Sequence, residues 1–133
     1  MKSDAELAGR FAGHFLLLLA VAALQCTNQL FLKAGVTPGG PIPFSLEGLG
    51  MLLRRILTTP LILAGYAVGV LTGLLWLTAL SRLEISLASP AVAGLYFILL
   101  LFASRFLLSE SITPGRWAGV LLILGGIFLL ARK

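Results

Sequence analysis

The chain has 133 residues, 59% of them hydrophobic and only 11% charged, with a mean hydropathy of +1.04. Soluble domains carry roughly a quarter charged residues, so this composition excludes a soluble enzyme or binding module and points to an integral membrane protein. The net charge of +5 does not indicate nucleic acid. The ten Lys and Arg residues sit at the ends of apolar blocks, where anionic headgroups are their natural partners, and no basic run or aromatic platform accompanies them.

Residues 1–10 are polar and compatible with a short interfacial helix. Lys2 and Arg10 before an apolar run resemble a signal peptide, and Ala23-Leu24-Gln25-Cys26 resembles a lipoprotein cleavage site. Three features argue against cleavage: Gln25 is not small, the run is too long for a signal h-region, and more apolar blocks follow. A first membrane helix is expected over about 11–34, since a span needs roughly 20 apolar residues. Its second half places Gln25, Asn28 and Gln29 at spacings of three and four, with Lys33 one turn further on. Such spacings share one side of a helix, and polar groups at membrane depth are costly unless they face a partner, a cavity or a substrate. The stripe therefore reads either as lining of a transport cavity or as interhelical glue. Cys26 is the only cysteine, so it forms no internal disulfide or cysteine metal site and reads as a small packing residue. His14 is the only histidine and makes no metal site alone.

Thr37-Pro-Gly-Gly-Pro-Ile-Pro43 cannot be regular helix, because each proline removes a donor and restricts the residue before it. Residues 45–57 are amphipathic, with Ser45 as the cap. Leu46, Leu49, Leu53 and Ile56 are expected toward lipid, while Glu47, Arg54 and Arg55 stay near water, which fits a helix lying in the interface. Arg54 and Arg55 are thus candidate headgroup contacts.

A second membrane helix is expected over 60–80, starting at Pro60. Its Gly65, Gly69 and Gly73 form a ridge that admits a close neighbour, and Trp76 either anchors at an interface or lines a cavity. The turn at residues 81–84 is so short that the flanking helices are expected to be antiparallel neighbours. A third helix over about 86–108 carries Ser89, Pro90, Tyr96 and Arg105, and Pro90 is deep enough to bend it. Tyr96 reads as a packing residue or as cavity lining. Glu110 follows, and a fourth helix over 114–131 carries Gly119 and Gly126 as packing or dimer contacts. Arg105 lies five residues before Glu110, an unnatural spacing for an ion pair on one helix.

The expected fold is therefore an all-α, four-helix transmembrane bundle forming a single domain, with a short amphipathic interfacial helix between the first two spans. Positive charge does not orient it. Lys2, Arg10, Arg82, Arg132 and Lys133 on one side balance Lys33, Arg54, Arg55, Arg105 and Arg116 on the other. There is no nucleophile with a base, no carboxylate pair and no phosphate loop, so neither an enzyme nor a cofactor is expected.

Several strings occur in order. Gln29-Leu-x-x-Lys33 lies in the first helix, Ser86-Leu-Ala-Ser-Pro90 opens the third, Glu110 precedes the fourth, and Leu122-Ile-Leu-Gly-Gly126 lies within it. Together they resemble the drug/metabolite transporter superfamily (EamA-like) in its four-helix form, from the first helix to the C-terminus. The small multidrug resistance branch carries a glutamate eight residues before the helix-end lysine. Here that position is Gln25, which exchanges no proton, and Val92 stands where that branch has tryptophan. The pattern is closer to the subunits that flip aminoarabinose-phosphoundecaprenol. That resemblance implies a flippase for a polyprenyl-phosphate-linked sugar, or the bare lipid phosphate, in the inner membrane of a bacterium, working as a homodimer or with a similar subunit. Lys33, Arg105, Arg54 and Arg55 would then meet the phosphate. Gln25, Asn28 and Gln29 would meet sugar hydroxyls, with Ser89 and Tyr96 beside them. Glu110 would meet an amine, Arg105 or Arg116. The alternatives are a multidrug-type exporter with another coupling residue and a non-transporting subunit of a membrane glycosyltransferase.

Overall fold

A computed structural model describes the backbone of residues 4–131 and the side chains of residues 12–129. Lys2, Arg132, Lys133 and the Arg10 side chain, which enter the charge balance, lie outside the described residues. The regular elements of the described chain are all helices, without a strand: α1 (Asp4–Val36), a short 3-10 turn (Thr37–Gly39), α2 (Leu46–Thr58), α3 (Pro60–Leu80), α4 (Ile85–Phe106) and α5 (Pro114–Ala131). Three segments are long and apolar enough to cross a membrane, Ala12–Gly39, Pro60–Leu80 and Ile85–Phe106, and Pro114–Leu129 is a shorter apolar helix.

Two expectations need correction. Residues 4–10 form no separate interfacial helix, because α1 runs unbroken from Asp4; residues 1–3 of that expectation lie outside the described residues. Nothing between Asp4 and Phe11 breaks a helix: there is no proline, and Gly9 alone costs only about 1 kcal/mol. The helices on either side of the short turn are also not close neighbours. α3 and α4 touch only slightly, while α1 packs extensively on both.

The reason lies in residue size. At the turn end of the bundle, Ala22 of α1, Ala79 of α3 and Ala88 of α4 are fully buried, with Leu18, Val21 and Val92 around them. Small residues let three helices converge there. Beyond this point α3 and α4 diverge, and α1 bridges the gap. Along α1 and α3 the approach stays close because of glycine. A Cβ at Gly65 would lie 2.8 Å from Leu32 Cδ2, and one at Gly69 would lie 3.1 Å from Asn28 Nδ2. Gly73 has open space beside it instead. In α5, Gly119 and Gly126 likewise have nothing near them, and the glycine that seats α5 is Gly94 of α4, beneath Leu124 and Ile127.

The proline-rich segment ends where Ser45 caps α2, its Oγ accepting from the Gly48 N–H at 3.1 Å. Such caps stabilise by about 1 kcal/mol. Leu46, Leu49 and Leu53 are exposed. Ile56 departs from them: it is half-buried with Leu52 and turned toward α1 and α3. Arg55 does not project freely. Its guanidinium donates to the carbonyls of Gly39 and Gly40, the latter at 2.7 Å, and fastens α2 to the preceding turn. α4 continues through Pro90, which denies the Ser86 carbonyl its helical donor.

Candidate functional site

The space left where α3 and α4 part is a cavity of about 600 Å³. Each wall comes from one helical face. α1 supplies Val21, Gln25, Asn28 and Gln29, α3 supplies Gly69, Thr72, Gly73 and Trp76, and α4 supplies Ser89, Val92, Ala93, Tyr96 and Phe97. These positions recur at three- and four-residue steps on every helix, which is what one face requires. Of the residues expected to meet substrate, the structure thus brings five together here: Gln25, Asn28, Gln29, Ser89 and Tyr96. Two ridge glycines, Gly69 and Gly73, also line it, so the ridge seats α1 at one end and opens space at the other.

The chemistry of these walls is polar but uncharged. Asn28 Oδ1 is buried and accepts no hydrogen bond among the described residues. A buried polar atom left unpaired costs about 1–3 kcal/mol, and it is a ready acceptor for a donor entering the cavity. Thr72, buried among apolar neighbours, spends its own proton on the Val68 carbonyl at 2.7 Å and offers only lone pairs. Tyr96 packs against Phe97 at 5.4 Å between ring centres. The sequence reading passes over Thr72 and leaves Trp76 open between an interface anchor and a cavity wall, and the structure places both in the lining. The signal for them is their spacing from Gly69, three residues to Thr72 and seven to Trp76, on the same face.

The expected cations lie elsewhere. Lys33 lines a groove of about 340 Å³ between α1, α2 and α3, together with Gln29, Val36, Leu52, Ile56 and Tyr66. Gln29 belongs to both spaces and forms the joint between them. Lys33 Nζ lies 3.9 Å from Glu110 Oε1, so Glu110 meets Lys33 rather than Arg105 or Arg116. Arg105 and Arg54 are exposed, line neither space and form no ion pair among the described residues. Arg55 is committed to the turn before α2. No group of three metal-ligating side chains occurs among the described residues.

No family model and no solved structure matches the chain. Curated relatives do. The chain is 34% identical over 119 residues, 88% of its length and 96% of the relative's, to a probable 4-amino-4-deoxy-L-arabinose-phosphoundecaprenol flippase subunit ArnE of Pseudomonas fluorescens (strain Pf0-1). It is 33% identical over 117 residues to the ArnE subunit of Serratia proteamaculans, covering 88% of this chain and 94% of that one. It is 32% identical over 120 residues to the probable ArnF subunit of Aeromonas hydrophila, covering 90% and 80%. With relatives matched across nearly the whole of their length, and with several apolar helices able to span a bilayer, this multi-pass membrane protein belongs to the family of ArnE and ArnF flippase subunits, which are transporters and not enzymes.

Proposed function

We propose that the protein is one subunit of a flippase that moves a polyprenyl-phosphate-linked sugar across the inner membrane of a bacterium. In this reading α1, α3, α4 and α5 are four spans of a single transmembrane domain, and α2 lies in the interface. The observation that carries it is the junction at Gln29 between an uncharged, amide-lined cavity and a groove holding Lys33. A lipid-linked sugar has three unlike parts, and the two spaces offer a place for each. The sugar hydroxyls meet Gln25, Asn28, Gln29, Ser89 and Tyr96, and Trp76 provides a face for the ring. The phosphate meets Lys33 by a charge-assisted contact. The first isoprene units run along Leu52, Ile56 and Tyr66 toward lipid. The headgroup crosses through the cavity by alternating access while the chain stays in the bilayer.

Walls from three helices of one chain leave the cavity open on one side, and closing it calls for a second subunit of the same kind. The relatives bearing both ArnE and ArnF names support a heterodimer. The glutamine at position 25, in place of an acid, counts against a proton-coupled exporter of cations. Native mass spectrometry of the protein released gently from its own membranes tests the reading. A co-purified mass equal to a polyprenyl phosphate with a sugar, lost in Lys33→Ala, is expected. Ordinary phospholipids alone, together with measurable binding of hydrophobic cations, would return the protein to the multidrug branch.

A further inference from the structure

We propose that Glu110 is an exchangeable counter-ion. Its carboxylate holds Lys33 in the lipid-free protein, and it turns to Arg116 when a lipid phosphate takes Lys33. The inference rests on the reading of Lys33 as the phosphate contact. Three observations support it.

The pair is loose. Its N···O distance is 3.9 Å and the two side chains are 55% and 38% exposed. Exposed pairs of this kind contribute little and are easily replaced. A phosphate, with several acceptor oxygens and at least a full negative charge, is a stronger partner for an ammonium than one half-exposed carboxylate.

The displaced carboxylate has somewhere to go. Glu110 and Arg116 line the same hollow of about 390 Å³, whose other walls come from α4 and α5 and none from α1. Arg116 forms no ion pair among the described residues, so its guanidinium is open to a carboxylate.

The backbone is held while the side chain changes partner. The Glu110 N–H donates to the Ser104 carbonyl at 3.0 Å, and Ser109 just before it adopts a left-handed conformation with φ of 53°. This tight turn holds the backbone of Glu110 while its side chain borders both Lys33 and the hollow that Arg116 lines, so the exchange asks for side-chain movement rather than a shift of the turn. Lipid binding would thereby release the end of α1 from the α4–α5 connection.

The test uses the full-length protein, purified with any subunit that accompanies it. Farnesyl phosphate is the probe, farnesol the uncharged control, and tryptophan emission the readout. Glu110→Gln removes the competitor, so it should bind farnesyl phosphate roughly two- to fivefold more tightly, with farnesol unchanged. Lys33→Ala should weaken farnesyl phosphate by about tenfold or more. In the double variant Lys33→Ala/Glu110→Gln the gain should vanish. A fixed structural ion pair predicts the opposite sign. If Glu110→Gln and Glu110→Ala, both with unchanged melting temperature, bind the probe no better than the unaltered protein, the exchange is overturned and the phosphate site stands. If the unaltered protein fails to distinguish farnesyl phosphate from farnesol, the phosphate site itself is wrong and the exchange falls with it.

Discussion

Asn28 carries two loads. Its amide rests beside Gly69, where a Cβ would press on it at 3.1 Å, and its Oδ1 is buried without a donor among the described residues. Its contribution to stability and its contribution to transport should therefore separate. Asn28→Leu keeps the branched heavy-atom shape, with somewhat larger volume, and removes the orphaned acceptor, and replacing an unpaired buried polar group by an apolar one of similar shape is near neutral or stabilising. We expect an unchanged or higher melting temperature in detergent and a fall in lipid-linked sugar transport of about tenfold. A fall in both would make Asn28 a packing residue. The glycine ridge makes a second contrast at this scale. Gly65→Val places its side chain against Leu32 and should cost about 1–3 kcal/mol by overpacking. Gly73→Val meets open space, so it should leave the melting temperature alone while filling part of the cavity and slowing transport. Thermal unfolding of the two variants side by side checks the difference.

Among the elements, α2 and its approach are held by local bonds as well as by the packing of Leu52 and Ile56 against α1 and α3. Ser45 caps the first turn, and Arg55 ties the last turn back to Gly39 and Gly40. Ser45→Ala should cost about 1 kcal/mol of local stability. Arg55→Ala should free the segment 37–44, and limited proteolysis at that segment should become faster by several-fold with the rest of the chain intact. Arg54→Ala, one residue away and unbonded through its side chain, should change nothing in the same assay. The sequence makes the cap, the proline break and the amide face of α1 legible because each is a local matter of spacing and backbone chemistry. It misassigns Ile56, which periodicity alone sends outward and the packing of α2 on α3 turns inward. It leaves Trp76 open between two roles, because a tryptophan at a helix end fits a membrane belt as well as a cavity wall. The partner of Glu110 is hidden for a different reason. Lys33 lies 77 positions away in the chain, and only the antiparallel course of α3 between them returns α4 to the same end as the α1 terminus.

At the scale of the whole molecule, α3 and α4 meet α1 at three buried alanines at one end and part further along, where the three amides of α1 and Trp76 line the cavity. Connectivity says that these helices adjoin, but side-chain volume decides where they separate. The cavity that results has no charged wall, and this bears on how the protein meets the membrane potential. Each elementary charge carried across the membrane changes the energy by about 2.3 kcal/mol per 100 mV. The walls offer the field nothing to pull on, so reorientation of the empty cavity should be electrically silent. Any voltage dependence then enters with the cargo, through the phosphate and whatever charge the sugar bears. Voltage steps on membranes holding the empty protein should evoke no transient current, and a current should appear only once anionic lipid is supplied.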